Sequence, residues 1–190
     1  MLTGFESLIS SLLKLFSAEK IEYVILGGVA VSIYGEPRFT MDVDVNVIMD
    51  QKKVKNFLDK AEKFYFFPLS PSVQKIAEEQ GVIPLKFAKG EEMGKVDVII
   101  AENPLEFSAL QRGKIKKMGS LKARFITPED LVLHKMTSAR VRDHNDLKGI
   151  ILRQKGKLDL DYIHGWLKRL DEVDEKLALD KQFNQLLKEC

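Results

Sequence analysis

Three aspartates lie on two segments in which apolar and polar residues alternate. Asp42 and Asp44 belong to the first segment, and Asp97 belongs to the second, Lys95–Ile100. Residues two apart in a β-strand project from one face, so Asp42 and Asp44 point the same way. Such like charges repel unless a cation neutralises them, and Mg²⁺ (or Mn²⁺) binds carboxylate and phosphate oxygens together. The spacing predicts a divalent-metal site; the alternative is an exposed acidic strand face.

Asp97 completes this site if the sheet pairs its strand with that of Asp42 and Asp44. Three acids around two metal ions is the arrangement that two-metal phosphoryl transfer requires. In that scheme one ion binds a nucleoside triphosphate, and the other lowers the pKa of an attacking hydroxyl. We therefore expect all three aspartates to be catalytic metal ligands, with Asp97 as a candidate acceptor of the hydroxyl proton.

A glycine pair precedes the first two acids. Gly27 and Gly28 end the apolar run Ile21–Leu26. A helix that begins there would present backbone N–H groups to an anion such as a triphosphate. Arg38 and Thr40 are also candidates for binding phosphate oxygens, through a guanidinium and a hydroxyl. For Arg38 the alternative is that it only offsets the negative charge nearby.

Together these motifs resemble the DNA polymerase β-like nucleotidyltransferase superfamily, and they most resemble its stand-alone bacterial and archaeal members, including the AbiEii-type toxins of toxin–antitoxin systems. The residues that carry the resemblance are Gly27, Gly28, Val29, Ala30, Gly35, Arg38, Thr40, Asp42, Val43, Asp44 and Val45, followed by Lys95, Val96 and Asp97. The resemblance implies an NTP substrate and a divalent metal cofactor. It also implies an α/β (α+β) nucleotidyltransferase fold with a small mixed sheet flanked by helices.

These toxins carry a later helical motif of a lysine, an arginine and two aspartates three residues apart. Lys135, Arg140, Asp143 and Asp146 match its spacing. The resemblance implies that Lys135 neutralises the triphosphate and that Arg140 places the nucleotide. It makes Asp143 a second base or an orienting acid. Helix-surface ion pairs are the alternative, because Arg140 and Asp143 are three residues apart.

The rest of the chain predicts the elements that must position these residues. Strands are expected at Ile21–Leu26, Met41–Ile48, Val82–Phe87, Lys95–Ile100, Lys114–Met118 and Leu121–Phe125. Helices are expected around Leu8–Phe16, Val29–Tyr34, Lys52–Lys63 and Ser72–Glu79, with a connection at Phe64–Pro71.

Thr127 and Pro128 are typical of a helix start, and the chain after them is predicted to be helical, with breaks near Asn145 and Gly156. We expect a nucleotidyltransferase sheet domain over residues 1–126. A C-terminal helical region over residues 127–190 is expected to pack on it.

Composition limits the class of protein. Of 190 residues, 45% are hydrophobic and 31% are charged, which is the balance of a soluble globular protein. The net charge of +2 gives no overall field for nucleic-acid binding, and the single cysteine, Cys190, excludes a disulfide within one chain. Neither a signal peptide nor a bilayer-spanning apolar run is evident, so we expect a cytoplasmic protein with no membrane partner.

The sequence thus predicts metal-dependent transfer of a nucleoside monophosphate from an NTP to a hydroxyl, with release of pyrophosphate. The acceptor remains open among an RNA end, a protein and a small molecule. The alternative is a catalytically degenerate member of the fold that binds a nucleotide or a partner protein, such as an antitoxin. A dinucleotide-binding enzyme is disfavoured because the glycines lack the G-x-G-x-x-G spacing.

Overall fold

The computed structural model describes residues 4–40, 42–138 and 140–190. The chain divides into two compact units: the first comprises Met1–Val29 and Phe39–Ile126, and the second Ala30–Arg38 and Thr127–Cys190. The predicted domain boundary after Ile126 stays a prediction. The unit that holds Thr127–Cys190 also holds Ala30–Arg38.

Strands and helices alternate before the chain becomes helical. The described strands are β1 Tyr23–Leu26, β2 Asp42–Val47, β3 Phe66–Pro68, β4 Val82–Lys89, β5 Glu92–Ile100, β6 Lys114–Met118 and β7 Leu121–Phe125. The described α-helices are α1 Gly4–Glu19, α2 Gly27–Tyr34, α3 Val54–Ala61, α4 Val73–Gln80, α5 Pro104–Arg112, α6 Pro128–Met136, α7 Val141–Arg153, α8 Leu160–Val173 and α9 Leu179–Glu189.

The described strands form one mixed sheet in the order β3-β4-β5-β2-β1-β7-β6. The pairs β2–β5 and β1–β7 are parallel, and the other neighbours are antiparallel. Both strands that carry the aspartates are interior, with β2 between β1 and β5. The predicted α/β class with a mixed sheet flanked by helices is confirmed.

Buried valines fix how β2 and β5 sit in the sheet. Val43 and Val45 of β2, and Val96 and Val98 of β5, are all 0% exposed. Because strand residues alternate between faces, burying the valines turns the aspartates between them to the other face. Helix α1 packs against β5 and buries its own apolar stripe, which includes Leu12 and Phe16.

Helix α6 begins where the sequence predicts. The Thr127 hydroxyl accepts a hydrogen bond from the backbone N–H of Asp130 at 3.2 Å, and Pro128 occupies the first turn. The same hydroxyl lies 2.6 Å from the Asp130 carboxylate. A capped and buried start therefore fixes the helix that carries Lys135.

Two sequence predictions need correction, and one helix lies where none is predicted. No helix break occurs near Asn145, because α7 runs through it with Asn145 exposed while Asp143 and Asp146 lie on the buried face. The predicted connection Phe64–Pro71 contains β3, and the segment before β6 forms α5, which the sequence reading did not predict. Met41, the first residue of one predicted strand, lies outside the described residues.

None of the described helices is both long and apolar enough to cross a membrane.

Candidate active site

Strand pairing brings the three predicted acids onto one face. In the parallel register of β2 and β5, Asp44 lies opposite Asp97 and Asp42 lies opposite Lys95. Residues opposite each other on paired strands project from the same face, as do residues two apart on one strand. We refer to the three aspartates, Asp42, Asp44 and Asp97, as the acidic array. The pairing on which the predicted site depends is present.

Solvent reaches this array from one end of β2. Asp42, the first residue of the strand, is exposed, whereas Asp44 and Asp97 are half-buried. Half-burial strengthens the repulsion between the two carboxylates, because water screens them less. The array therefore needs positive charge close to Asp44 and Asp97.

Lys95 supplies one positive charge. Its ammonium Nζ lies 2.8 Å from Oδ2 of Asp97, in a half-buried ion pair. The hydrogen bond to Asp97 raises the pKa of Lys95 against the effect of burial, and the charges of Asp97, Asp42 and Asp44 raise it further. Lys95 is thus the cation that all three acids attract. The sequence analysis predicts no role for Lys95, although the position of Lys95 two residues before Asp97 indicates that the two side chains share a face.

Gly27 lies against the Asp44 carboxylate. A Cβ atom at this position would lie 1.8 Å from Oδ2 of Asp44, far inside van der Waals contact. The backbone of Gly27 also has φ +62°, in the left-handed region that favours glycine. Both observations make Gly27 the residue that lets the β1–α2 turn approach the acidic array.

Thr40 precedes the array and contacts its backbone. The Thr40 hydroxyl donates a hydrogen bond to the Asp42 carbonyl oxygen at 3.1 Å. In this conformation the hydroxyl hydrogen holds the chain at the start of β2, while the oxygen can still accept a further hydrogen bond.

Asn46 is a buried polar residue on the face of β2 that carries Asp42 and Asp44. It lies two residues beyond Asp44 on the same face and is 0% exposed. Among the described residues neither its amide nitrogen nor its amide oxygen has a hydrogen-bond partner. Burying an unsatisfied amide costs about 1–3 kcal/mol, so packing alone does not favour asparagine here.

The later motif forms a buried ion cluster in the second unit. Lys135 Nζ lies 2.5 Å from Oδ1 of Asp143 and 2.7 Å from Oδ2 of Asp146. Arg38 binds Asp146 with two nitrogens, Nε at 2.9 Å and Nη2 at 3.0 Å. Ser138 donates to Asp143 at 2.5 Å. The structure therefore brings four of the predicted residues together, and engages both basic side chains with carboxylates.

Hydrogen bonds set the charge state of this cluster. Burial alone would raise the pKa of Asp146, but hydrogen bonds from Arg38 and Lys135 and the charges of both outweigh it, so the pKa is lowered. For Asp143, burial is likewise outweighed by Lys135, Ser138 and Arg140, and its pKa is also lowered. Both carboxylates are therefore charged at neutral pH.

Arg140 is far more exposed to solvent than Arg38 and Lys135, the other two basic residues of this ion cluster. Its side chain is 84% exposed, and its Nε lies 3.2 Å from Oδ2 of Asp143. This is the ion pair that the spacing of three residues indicates, and it joins an exposed guanidinium to a carboxylate that is 10% exposed.

The side chains as they stand do not form a ready cation site. Within residues 4–40, 42–138 and 140–190, no group of three or more His, Cys, Asp or Glu side chains is arranged to hold a metal ion. In the acidic array, the Lys95 ammonium already binds Asp97.

Comparison with known proteins gives a family and a fold. The family model described as "Nucleotidyltransferase of unknown function (DUF6036)" matches residues 4–189. No curated protein matches the chain in sequence.

Three solved structures are similar to the chain. The antibiotic-resistance factor ANT(2'')-Ia is 12% identical with a TM-score of 0.57, over 90% of this chain and 95% of that one. The lincosamide antibiotic adenylyltransferase LnuA, solved with lincomycin, is 17% identical with a TM-score of 0.46, over 76% and 94%. An antigenic nucleotidyltransferase-like protein from Paracoccidioides brasiliensis is 15% identical with a TM-score of 0.44, over 92% and 90%. Of these three, the first shows a shared fold.

Replacing Gly27 by alanine tests its close approach to Asp44. We expect Gly27→Ala to lower the free energy of unfolding by more than the roughly 1–3 kcal/mol of a left-handed alanine, because Cβ also displaces the Asp44 carboxylate. Gly90→Ala is the matched control, since Gly90 has φ +61° and, its two chain neighbours apart, no heavy atom of the described residues lies within 4 Å of a Cβ built there. Denaturant unfolding of the two variants measures the difference. Equal losses would contradict the close approach.

The ion cluster of the second unit predicts acid sensitivity. The pKa values of Asp143 and Asp146 are lower in the folded chain, so their stabilisation is present above the unfolded pKa near 4 and is lost as pH falls through the folded values. We expect the free energy of unfolding to decrease as pH falls below about 4. In Asp146→Asn the decrease should be shallower, from a lower starting value at pH 7. An Asp146→Asn profile that runs parallel to wild type would be inconsistent with this cluster.

Proposed function

The chain belongs to the nucleotidyltransferase family of unknown function (DUF6036), and from that premise we propose that it transfers a nucleoside monophosphate from an NTP to a hydroxyl acceptor. The acceptor oxygen attacks the α-phosphorus, the bond from that phosphorus to the bridging oxygen breaks, and pyrophosphate leaves. The observation that supports the proposal most directly is the β2–β5 register, which sets Asp44 opposite Asp97.

We propose that Asp42, Asp44 and Asp97 hold Mg²⁺ or Mn²⁺. The donors fit such an ion in chemistry, since they are three carboxylates on one face and one of them already binds a cationic ammonium. A bound divalent ion supplies neutralisation of the triphosphate and a lower pKa for the attacking hydroxyl.

The first unit offers further groups to the nucleotide. The backbone at Gly27 and Gly28, at the start of α2, favours an anion such as a phosphate. The Thr40 hydroxyl oxygen can accept one more hydrogen bond, as from a water bound to a phosphate, and it would donate to a phosphate oxygen only by leaving the Asp42 carbonyl. Asp97 is the proposed acceptor of the hydroxyl proton, a role that requires it to release Lys95.

In the second unit, Arg38, Lys135 and Arg140 are proposed to bind phosphate or nucleotide, with Asp143 as an orienting acid or second base. Arg38 and Lys135 are bound to carboxylates in the structure, so a phosphate would have to compete with Asp143 and Asp146 for them. Arg140 is the most accessible of the three, with its side chain 84% exposed.

The acceptor is proposed only as a class, a hydroxyl on an RNA end, a protein or a small molecule. The chain shares a fold with the antibiotic-resistance factor ANT(2'')-Ia, and fold alone does not choose an acceptor. A relationship to the AbiEii-type toxins, with an antitoxin as partner, remains part of the proposal.

Label transfer tests this function. Wild type would be incubated with each α-labelled NTP, Mg²⁺ or Mn²⁺, and separate pools of RNA, protein and hydroxylated antibiotics. Asp44→Asn should reduce label transfer about 100-fold or more, because it removes charge from the site where phosphoryl charge develops. Asp59→Asn, an exposed change on α3, serves as control and should leave transfer unchanged.

Two results would count against the proposal. Equal transfer by wild type and Asp44→Asn would make the assignment of the acids wrong. Metal-dependent NTP binding without transfer to any pool would favour the catalytically degenerate alternative, in which the fold binds a nucleotide or a partner protein.

A further inference from the structure

We propose that Lys95 is a tethered cation that competes with a divalent metal ion for Asp97, and that it leaves this carboxylate when metal and nucleotide bind. The inference deepens the proposed function and rests on it, because it concerns the same three carboxylates. It assigns Lys95 a positioning role that controls when the acids are available.

The geometry places Lys95 inside the acidic array. Lys95 and Asp97 are two residues apart on β5, and Lys95 is the register partner of Asp42. Its Nζ lies 2.8 Å from Oδ2 of Asp97. The ammonium therefore binds an oxygen that a divalent ion held by the three acids would also need.

A divalent ion and the Lys95 ammonium cannot both bind Asp97 closely, because their positive charges repel. A dication bound to Asp97 at coordination distance would lie within a few ångströms of the ammonium, and like charges at that separation repel even in water. The Lys95 ammonium lies 2.8 Å from Oδ2 of Asp97, so metal binding must work against an ion pair that is already formed. Metal affinity in the absence of nucleotide is thereby reduced.

The Lys95 side chain is also free to move away from Asp97 toward solvent. Its side chain is 38% exposed, against 22% for Asp97, and a lysine stem is flexible. Once displaced, the ammonium remains on the same face of β5 and can pair with a triphosphate oxygen instead. The chain should therefore bind metal and NTP cooperatively, with Lys95 moving from one anion to the other.

Lys86 provides a matched control. It lies opposite Lys95 on β4, so it projects from the same face one strand farther from Asp42 and Asp44. It is exposed. Removing its charge changes the net charge by the same amount as removing that of Lys95, without touching Asp97.

Manganese titration followed by electron paramagnetic resonance of free Mn²⁺ tests the inference on the full chain. We expect Lys95→Met to bind Mn²⁺ about tenfold more tightly than wild type without nucleotide. Lys86→Met should differ from wild type by less than about twofold. Lys95→Arg keeps the charge and should retain the weak wild-type affinity. Adding a non-hydrolysable NTP should tighten Mn²⁺ binding more in wild type than in Lys95→Met.

The outcomes separate this inference from the proposed function. Measurable Mn²⁺ binding with equal or weaker affinity in Lys95→Met overturns the role of Lys95 and leaves the metal site intact. If no variant binds Mn²⁺, with or without nucleotide, the metal site itself is wrong and the inference falls with it. Melting curves of each variant confirm that the proteins compared are folded.

Discussion

The parallel pairing of β2 with β5 is the constraint on which the site depends. It sets two half-buried carboxylates, Asp44 and Asp97, opposite each other in the interior of the sheet. The register is held by the other face, where the valines of both strands are fully buried. A slip of one residue would turn those valines to the aspartate face and bury the acids, so the apolar core fixes the position of the charges. Repulsion between the acids is thus tolerated because hydrophobic burial on the opposite face outweighs it.

The two charged clusters of the chain differ in how completely they are neutralised. In the second unit, Asp143 and Asp146 face Lys135 and Arg38, and Ser138 adds a hydrogen bond. In the first unit, the Lys95 ammonium binds Asp97, and the charges of Asp42 and Asp44 also attract it. The acidic array thus sets three carboxylates beside this ammonium, whereas the second cluster is buried and pairs its two carboxylates with Lys135 and Arg38. On these grounds the acidic array is the better place for a divalent cation, and the second cluster holds α6 and α7 together.

Much of this arrangement follows from the sequence. The alternation of valine and aspartate predicts β2 and its acidic face, and Thr127 with Pro128 predicts the start of α6. Short edge strand β3 was missed because three residues give too little periodicity to distinguish a strand from a connection. The partners of Lys135 cannot be predicted from sequence. The spacing of Asp143 and Asp146 gives their separation along α7, but it does not show which face of α7 packs against α6. The acids that surround the Lys95 ammonium cannot be predicted for a similar reason: period two indicates the face of Lys95, and only the register shows which acids share that face.

Anomalous diffraction from crystals grown with Mn²⁺ and a non-hydrolysable NTP tests most directly whether the three aspartates hold a divalent ion. We expect anomalous density in contact with the carboxylates of Asp42, Asp44 and Asp97, with the Lys95 ammonium withdrawn from Asp97. Density elsewhere, or bound nucleotide with no density at the three acids, would contradict it.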